Sequence, residues 1–383
     1  MHDALYARFF DETHEAFRAQ CRRFAETEIL PHAEAWEEAG AFPRELYVRA
    51  AQAGVLAPGF PDEYGGGGGD VFHTVVAAEE LMRGTSAGTA VGLASFSIAL
   101  PPILKLGTEE QRRRFVPPIL AGEHIAALAI TEPGTGSDVA GIRTKAVRDG
   151  DDYLISGSKT FITSGARADV VTVLARTGDH PHGGLTFFAV EKDMPGYAVG
   201  RALKKTGWWA SDTAELHFDQ VRVPAANRLG DEGSGFAALM RNFADERLLL
   251  AVNGCALANL ALEEAIAYSK ERHAFGKPIA GFQVIRHKLA DMATAVASAR
   301  SLVYLAAARL NDGVAAMDEL AMAKNQACIV SREVCWQAVQ IFGGMGYMRE
   351  TNVERYARDA RLLPIGGGTM EIMNELISRG LDL

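Results

Sequence analysis

The chain has 383 residues, 48% apolar and 23% charged, with a formal net charge of −9. That length suggests two or three globular domains of about 100 to 200 residues, and an acidic total without a basic cluster argues against nucleic acid as a partner. No apolar run approaches the roughly 18 residues that cross a bilayer, and MHDALYARFFDETHEAFRAQ carries neither a secretory nor a transit pattern, so a cytoplasmic protein without a membrane span is expected. Cys21, Cys255, Cys328 and Cys335 have no CxxC or Cys/His ligand spacing; free core thiols are expected rather than a metal site or a disulfide.

Residues 1–122 read as a helical domain, with apolar residues three and four apart and punctuation near Pro43, Pro58, Gly65–Gly69 and Pro101. The glycines of PDEYGGGGGD follow no strand and precede no GKS/T, so a surface turn is expected there rather than a phosphate loop. Residues 123–232 change to short β-branched runs, AALAIT, YLISG, DVVTVLA, LTFFAV and AELHFDQVRV, separated by Gly, Asp and Pro turns. These predict an antiparallel β domain, barrel or sandwich, and with no alternating helices a dinucleotide βαβ fold is disfavoured. Residues 233–383 return to helical spacing: Ile285, Leu289, Met292, Val296, Ala299 and Val303 form the single stripe of a bundle helix. The fold class is α+β, in the order helices, β domain, four-helix bundle.

Three stretches suit chemistry. In AITEPGTGSDVAG a strand leads into a loop of small residues whose N–H and hydroxyl groups can hold a planar ring or an anion, although a structural turn fits as well. SGSKTFITSGARAD places Phe161 and Thr163 on a strand edge, for stacking and hydrogen bonding or simply as core. RLLPIGGGTME puts Gly366, Gly367 and Gly368 before a helix, a costly run to order. On the preceding stripe Phe236, Leu239, Phe243, Leu250, the remaining member is Glu246, a carboxylate on an apolar face. An ion pair with Arg241 or Arg247 is the structural alternative, because buried Glu is rare unless paired.

The order of TEPGTGSDVAGIRTKA, GSKTFITSGARAD, SDTAELHFDQVRVPAANRLGDEGSGF, ERHAFGKPIAGFQ with KLADM, and QIFGGMGYMRE with RYARDARLLPIGGGTMEIMNELI resembles the acyl-CoA dehydrogenase family over nearly the full length. SDTAEL and IGGGTMEIMNELI are particularly similar to its long-chain group. The resemblance implies an FAD between β domain and bundle, a homotetramer in which a neighbouring subunit completes the site, an acyl-CoA substrate and electron-transferring flavoprotein as acceptor. It implies an isoalloxazine site at Leu128, Ile130, Thr131, Gly136, Ser137, Phe161, Ile162 and Thr163. The adenine and pyrophosphate end would meet Arg272, Phe275, Phe282 and Gln283, with Gln340, Gly343 and Gly344 of a second chain. Thr369 and Glu371 would face the cofactor from a helix start.

Many family members carry the catalytic carboxylate within IYEGT, where this chain has Ile365, Gly366, Gly367, Gly368 and Thr369. The base position is Gly367, so the resemblance assigns the base to Glu246, as in the long-chain and isovaleryl types. Gly367 N–H would then meet the thioester carbonyl, and Ser137, Phe243, Arg247 and Gly366 would lie by the substrate. The expected reaction is α,β-dehydrogenation to the trans-2-enoyl-CoA. An oxidase or monooxygenase of the same superfamily, and a flavin-loaded scaffold without turnover, are the alternatives.

Overall fold

A computed structural model describes residues 3–314 and 316–381. The N-terminal part is helical, and capping boxes start its principal helices. Asp11 and His14 close the first turn of α1 (Glu12–Phe24), Asp70 and His73 that of α2 (Val71–Leu81), and Thr108 and Gln111 that of α3 (Glu109–Leu120). The glycine-rich stretch before α2 is a tight turn: the N–H groups of Gly66, Gly67, Gly68 and Gly69 return to the carbonyls of Pro61, Ala57, Phe60 and Pro58.

Helices give way to strands between Leu120 and Ala126. The strands are β1 (Ala126–Ala129), β2 (Lys145–Asp149), β3 (Asp152–Thr163), β4 (Val170–Arg176), β5 (Leu185–Glu191), β6 (Tyr197–Ala202), β7 (Thr213–Pro224) and β8 (Arg228–Leu229). They form one sheet in the order β6-β7-β3-β2-β4-β5-β8, with β1 alongside β4. Pairing is antiparallel except that β1 runs parallel to β4 and β2 meets β4 in a single parallel pair, Lys145 with Arg176. A purely antiparallel sheet does not form, because β1 arrives from the helical domain and joins the far side of β4 instead of returning through a hairpin. Buried β-branched and aromatic residues fill both faces of β4 and β5.

The C-terminal part begins with α4 (Gly235–Glu271), followed by a hairpin of β9 (His273–Ala274) and β10 (Lys277–Pro278). Then come α5 (Gln283–Asn311), α6 (Met317–Phe342), α7 (Asn352–Asp359) and α8 (Met370–Gly380). Three long helices pack together and α8 lies on α6. The expected stripe of α5 is buried from Met292 onward, while Ile285 and Leu289 keep partial exposure. All four cysteines are free and buried.

Two stretches, 87–106 and Gly235–Glu271, are apolar and long enough to cross a membrane by composition alone, against the expectation drawn from the sequence. In each, 72% of the most apolar window is covered by protein, which accounts for the apolar content as core.

The three regions meet at Trp208 and Trp209. Trp208 N–H donates to Asp359 Oδ1 at 2.6 Å, and the guanidinium carbons of Arg349 and Arg358 lie 4.4 and 3.7 Å from the Trp209 ring centre. Arg358 also faces Glu37 of the helical domain at 3.5 Å, and Ser86 donates to Glu37 at 2.7 Å. The Trp209 indole and the Trp208 backbone are thus committed to the domain junction, and the Trp208 side chain is buried.

Candidate active site

Thr160 N–H donates to Thr131 O at 2.9 Å, tying the end of β1 to β3 where β3 bulges against β7. The bulge leaves Phe161 68% exposed with φ +60°. A bulky side chain in that region of backbone space is a true outlier, of the kind that clusters at functional sites. Ile162 turns inward and is buried, while Thr163, Thr131, Ile130 and Leu128 are partly exposed. The loop after Thr131 is braced from inside: Glu132 accepts from Arg143 N–H at 2.8 Å, Thr144 N–H at 2.9 Å and Lys159 Nζ at 3.0 Å. Burial alone would raise the Glu132 carboxyl, but the Lys159 ammonium and these donors hold it below its ordinary value. The outer side of this loop stays open, with Ser137 exposed and no atom within 4 Å of where a Gly136 side chain would start. A stacking ring, hydroxyls and an uncovered glycine beside a rigid strand end suit a planar heterocycle.

The second half of the site is the glycine loop. Gly367 has φ +61° and Gly368 φ +99°, conformations in which a side chain is strained. A Cβ placed on Gly367 would stand 2.5 Å from Leu250 Cδ1, 3.3 Å from Glu246 Oε1 and 3.6 Å from Glu246 Cδ. The Glu246 carboxylate therefore occupies the space into which a residue at 367 would project. It forms no ion pair with Arg241 or Arg247 among the described residues, which removes the structural alternative. Burial raises its pKa, and the charges of Lys324 and Arg247 offset part of the rise. Arg247 is buried; its Nε donates to Gly367 O at 3.3 Å and its guanidinium lies 5.0 Å from the Phe243 ring centre. It anchors the loop. A side chain starting at Gly366 would meet only Leu362 O, at 3.9 Å. Thr369 caps α8, accepting from Ile372 N–H at 3.4 Å, and Glu371 is exposed in the first turn, its pKa lowered by its own backbone N–H and by Thr369.

Sequence reasoning missed Lys324. This lysine is 1% exposed, and its ammonium donates to Gly366 O at 2.5 Å and to Gly368 O. Burial pushes its pKa down to about 8, with Cys328 and Glu246 opposing. Lys324 lies on the buried face of α6 in line with Leu320, Ala327, Cys328 and Ser331, the same signal that drew attention to Glu246.

A third group lies on the bundle. Phe275 is 95% exposed at φ +51°, at the tip of the β9–β10 turn beside Gly276 at φ +80°. It packs edge-on to Phe282 with ring centres 6.0 Å apart. Arg272 and Gln283 are exposed, and the Arg272 guanidinium has no side-chain or carbonyl partner among the described residues. At the end of α6, Gln340, Gly343 and Gly344 are exposed, with open space around both glycines. No hydrogen bond, ion pair or aromatic contact among the described residues joins this group to Phe161 or Thr163. One chain brings together the Phe161 edge and, separately, the Glu246–Gly367 pair.

A helical domain, a central sheet and a helical bundle, with a lone carboxylate facing a glycine loop, define a scaffold for chemistry on a substrate held beside a planar cofactor. Three family models cover it: the acyl-CoA dehydrogenase N-terminal domain matches residues 11–123, the middle domain 127–221 and the C-terminal domain 233–381. The chain belongs to the acyl-CoA dehydrogenase family. It is 41% identical to the mitochondrial long-chain specific acyl-CoA dehydrogenase of Sus scrofa over 97% of this chain and 87% of that one. The crystal structure of a probable acyl-CoA dehydrogenase from Mycobacterium abscessus superposes with a TM-score of 0.96 at 46% identity, covering 97% of this chain and 100% of that one. A glutaryl-CoA dehydrogenase from Mycobacterium smegmatis, solved in complex with FADH2, superposes at 0.91 with 29% identity over 98% and 96% of the two chains.

Proposed function

We infer that the chain is an FAD-dependent acyl-CoA dehydrogenase that converts an acyl-CoA thioester to the trans-2-enoyl-CoA. The observation that carries this is the Glu246 carboxylate standing 3.3 Å from the point where a side chain on Gly367 would begin. The exposed ring of Phe161, the open loop at Gly136 and the unpaired Arg272 fit the flat and anionic ends of FAD. When bound, FAD supplies the hydride acceptor.

Glu246 removes the α-proton. Its burial makes it a stronger base than an exposed carboxylate once ionised. Gly367 N–H donates to the thioester oxygen, stabilising the negative charge that grows there as the proton leaves. Phe243 and Leu250 form apolar walls, and Arg247 holds the loop from behind. Phe161 and Thr163 orient the flavin ring, while Arg272, Phe275, Phe282 and Gln283 take its adenine and pyrophosphate end. Gln340, Gly343 and Gly344 serve the flavin of a neighbouring subunit. Exposed apolar side chains on the bundle, Phe275, Val284, Ile329, Trp336 and Tyr347, support a homotetramer. Electron-transferring flavoprotein is the acceptor; a relative from Acetobacterium woodii is named as a subunit of an Etf complex.

The test is anaerobic mixing of the yellow holoenzyme with a panel of acyl-CoAs. Flavin bleaching is expected, and Glu246→Gln should retain FAD and ligand while losing reduction by about 10²- to 10⁴-fold or more. Normal bleaching in that variant removes Glu246 as the base.

A further inference from the structure

We infer that Lys324 is a positioning residue for the reaction: by tethering the two carbonyls on either side of Gly367 it orients and polarises the N–H that meets the substrate carbonyl. The inference rests on the proposed role of Gly367.

Lys324 donates to Gly366 O and to Gly368 O, and Arg247 to Gly367 O. Three successive carbonyls are each held by a cation, from two different helices. Gly367 N–H is left without a hydrogen-bond partner among the described residues. In a trans peptide the C=O and N–H point in opposite directions. With Gly366 O turned to the ammonium, the Gly367 N–H of the same peptide faces away from Lys324.

A charge is a costly way to tie a loop. Burying an ammonium without an ion pair is unfavourable, Lys324 has no salt bridge among the described residues, and a neutral amide would supply two donors. What the charge adds is polarisation. A cation on the oxygen of a peptide withdraws density from its nitrogen, and chained hydrogen bonds of this kind strengthen one another by roughly 10–30% per bond. The relay runs from Lys324 N–H to Gly366 O, through the peptide, and from Gly367 N–H to the thioester oxygen. The ammonium also lies close enough to Glu246 to lower its pKa.

The probe is [1-¹³C]trans-2-hexadecenoyl-CoA, the product form, bound to oxidised holoenzyme and read by isotope-edited infrared spectroscopy. In the parent enzyme the carbonyl band should fall in frequency on binding. In Lys324→Met the fall should be at least halved while FAD content and product affinity are kept, and flavin reduction by substrate should slow roughly tenfold, less than the ~10²–10³-fold lost with a direct donor. Lys324→Arg should restore most of the shift. Lys324→Gln keeps a tether without the charge and covers the case in which the Met variant does not fold; its shift should fall between those of Met and the parent. A full shift in Lys324→Met or Lys324→Gln overturns the inference. Glu246→Gln should keep the shift while losing reduction. No shift in the parent enzyme overturns the role of Gly367, and this inference with it.

Discussion

As the proposed base, Glu246 acts only when ionised, and burial raises its pKa above the ordinary carboxylate value while Lys324 and Arg247 pull it back. The rate of flavin reduction at limiting substrate should therefore fall as the pH drops through a value above that of a free glutamate. On the alkaline side, Lys324 faces Glu246 and Arg247 from α4 and Cys328 on its own helix, and loses its proton above about 8. A second decline should begin there and be absent from Lys324→Met; a rising limb at the ordinary carboxylate value would show that Glu246 is not the group titrating. Gly366 tests the pocket. Nothing crowds the start of a side chain there and the Trp209 indole is engaged elsewhere, so Gly366→Tyr should fold and move substrate preference from long or branched chains toward butyryl-CoA, each buried methylene of the parent pocket contributing about 0.8 kcal/mol. Unchanged preference across butyryl-, octanoyl-, palmitoyl- and branched-chain substrates means that Gly366 serves the turn alone. Glu246 stood out in the sequence because a charge broke an apolar stripe, but its role as base came from the family resemblance. Lys324 broke one in the same way, but nothing in the order of residues shows that its partners are the carbonyls of a loop some forty residues on.

At the level of elements, helices were readable because apolar residues recur three and four apart between Pro and Gly punctuation; the capping boxes that start three of them at Asp11, Asp70 and Thr108 were not read from the sequence. Strands β2 and β6 were missed: KAVRD and YAVGRA are largely polar or exposed and take their conformation from neighbours β3 and β7. The bulge in β3 was also invisible, since register follows from pairing. It carries a consequence at Phe161. Phe161→Gly removes a backbone strain of ~1–2 kcal/mol and an exposed ring, so apo-protein stability should stay within about 1 kcal/mol of the parent while FAD affinity falls. Calorimetric unfolding with flavin titration separates the two; retained FAD affinity would deny the ring a stacking role.

Across the whole molecule, the junction of the three regions is polar and buried. Asp359 has its pKa pushed up to about 7, chiefly by burial and by Glu37, against the Trp208 N–H, Arg358 and Arg355. A carboxyl whose pKa is higher folded than unfolded adds stability that is fully present below its unfolded value and is lost as pH rises through the folded one. The parent should lose stability between about pH 4 and pH 7, from the ordinary carboxylate value to the folded one, and level off above that, and Asp359→Asn should flatten the loss. Equal pH dependence in both proteins would mean that Asp359 stays ionised among its arginines. The order of the three regions was evident from composition and periodicity, but how they meet was not, because Glu37, Trp208 and Asp359 lie far apart along the chain.

The steric exclusion at Gly367 bears on how such a site changes over generations. A side chain at 367 meets the movable end of Leu250, crowds Glu246 and is strained at φ +61°, so a glutamate gained there while the present one remains carries a steric and conformational cost. With Glu246 as the proposed base, losing it first removes the group that takes the proton. Each single step is expected to be worse than either end point, so the path between the two arrangements crosses a valley best passed by changing positions 246 and 367 together. Lineages that hold the carboxylate on the bundle helix should therefore stay there even when every other part of the pocket drifts.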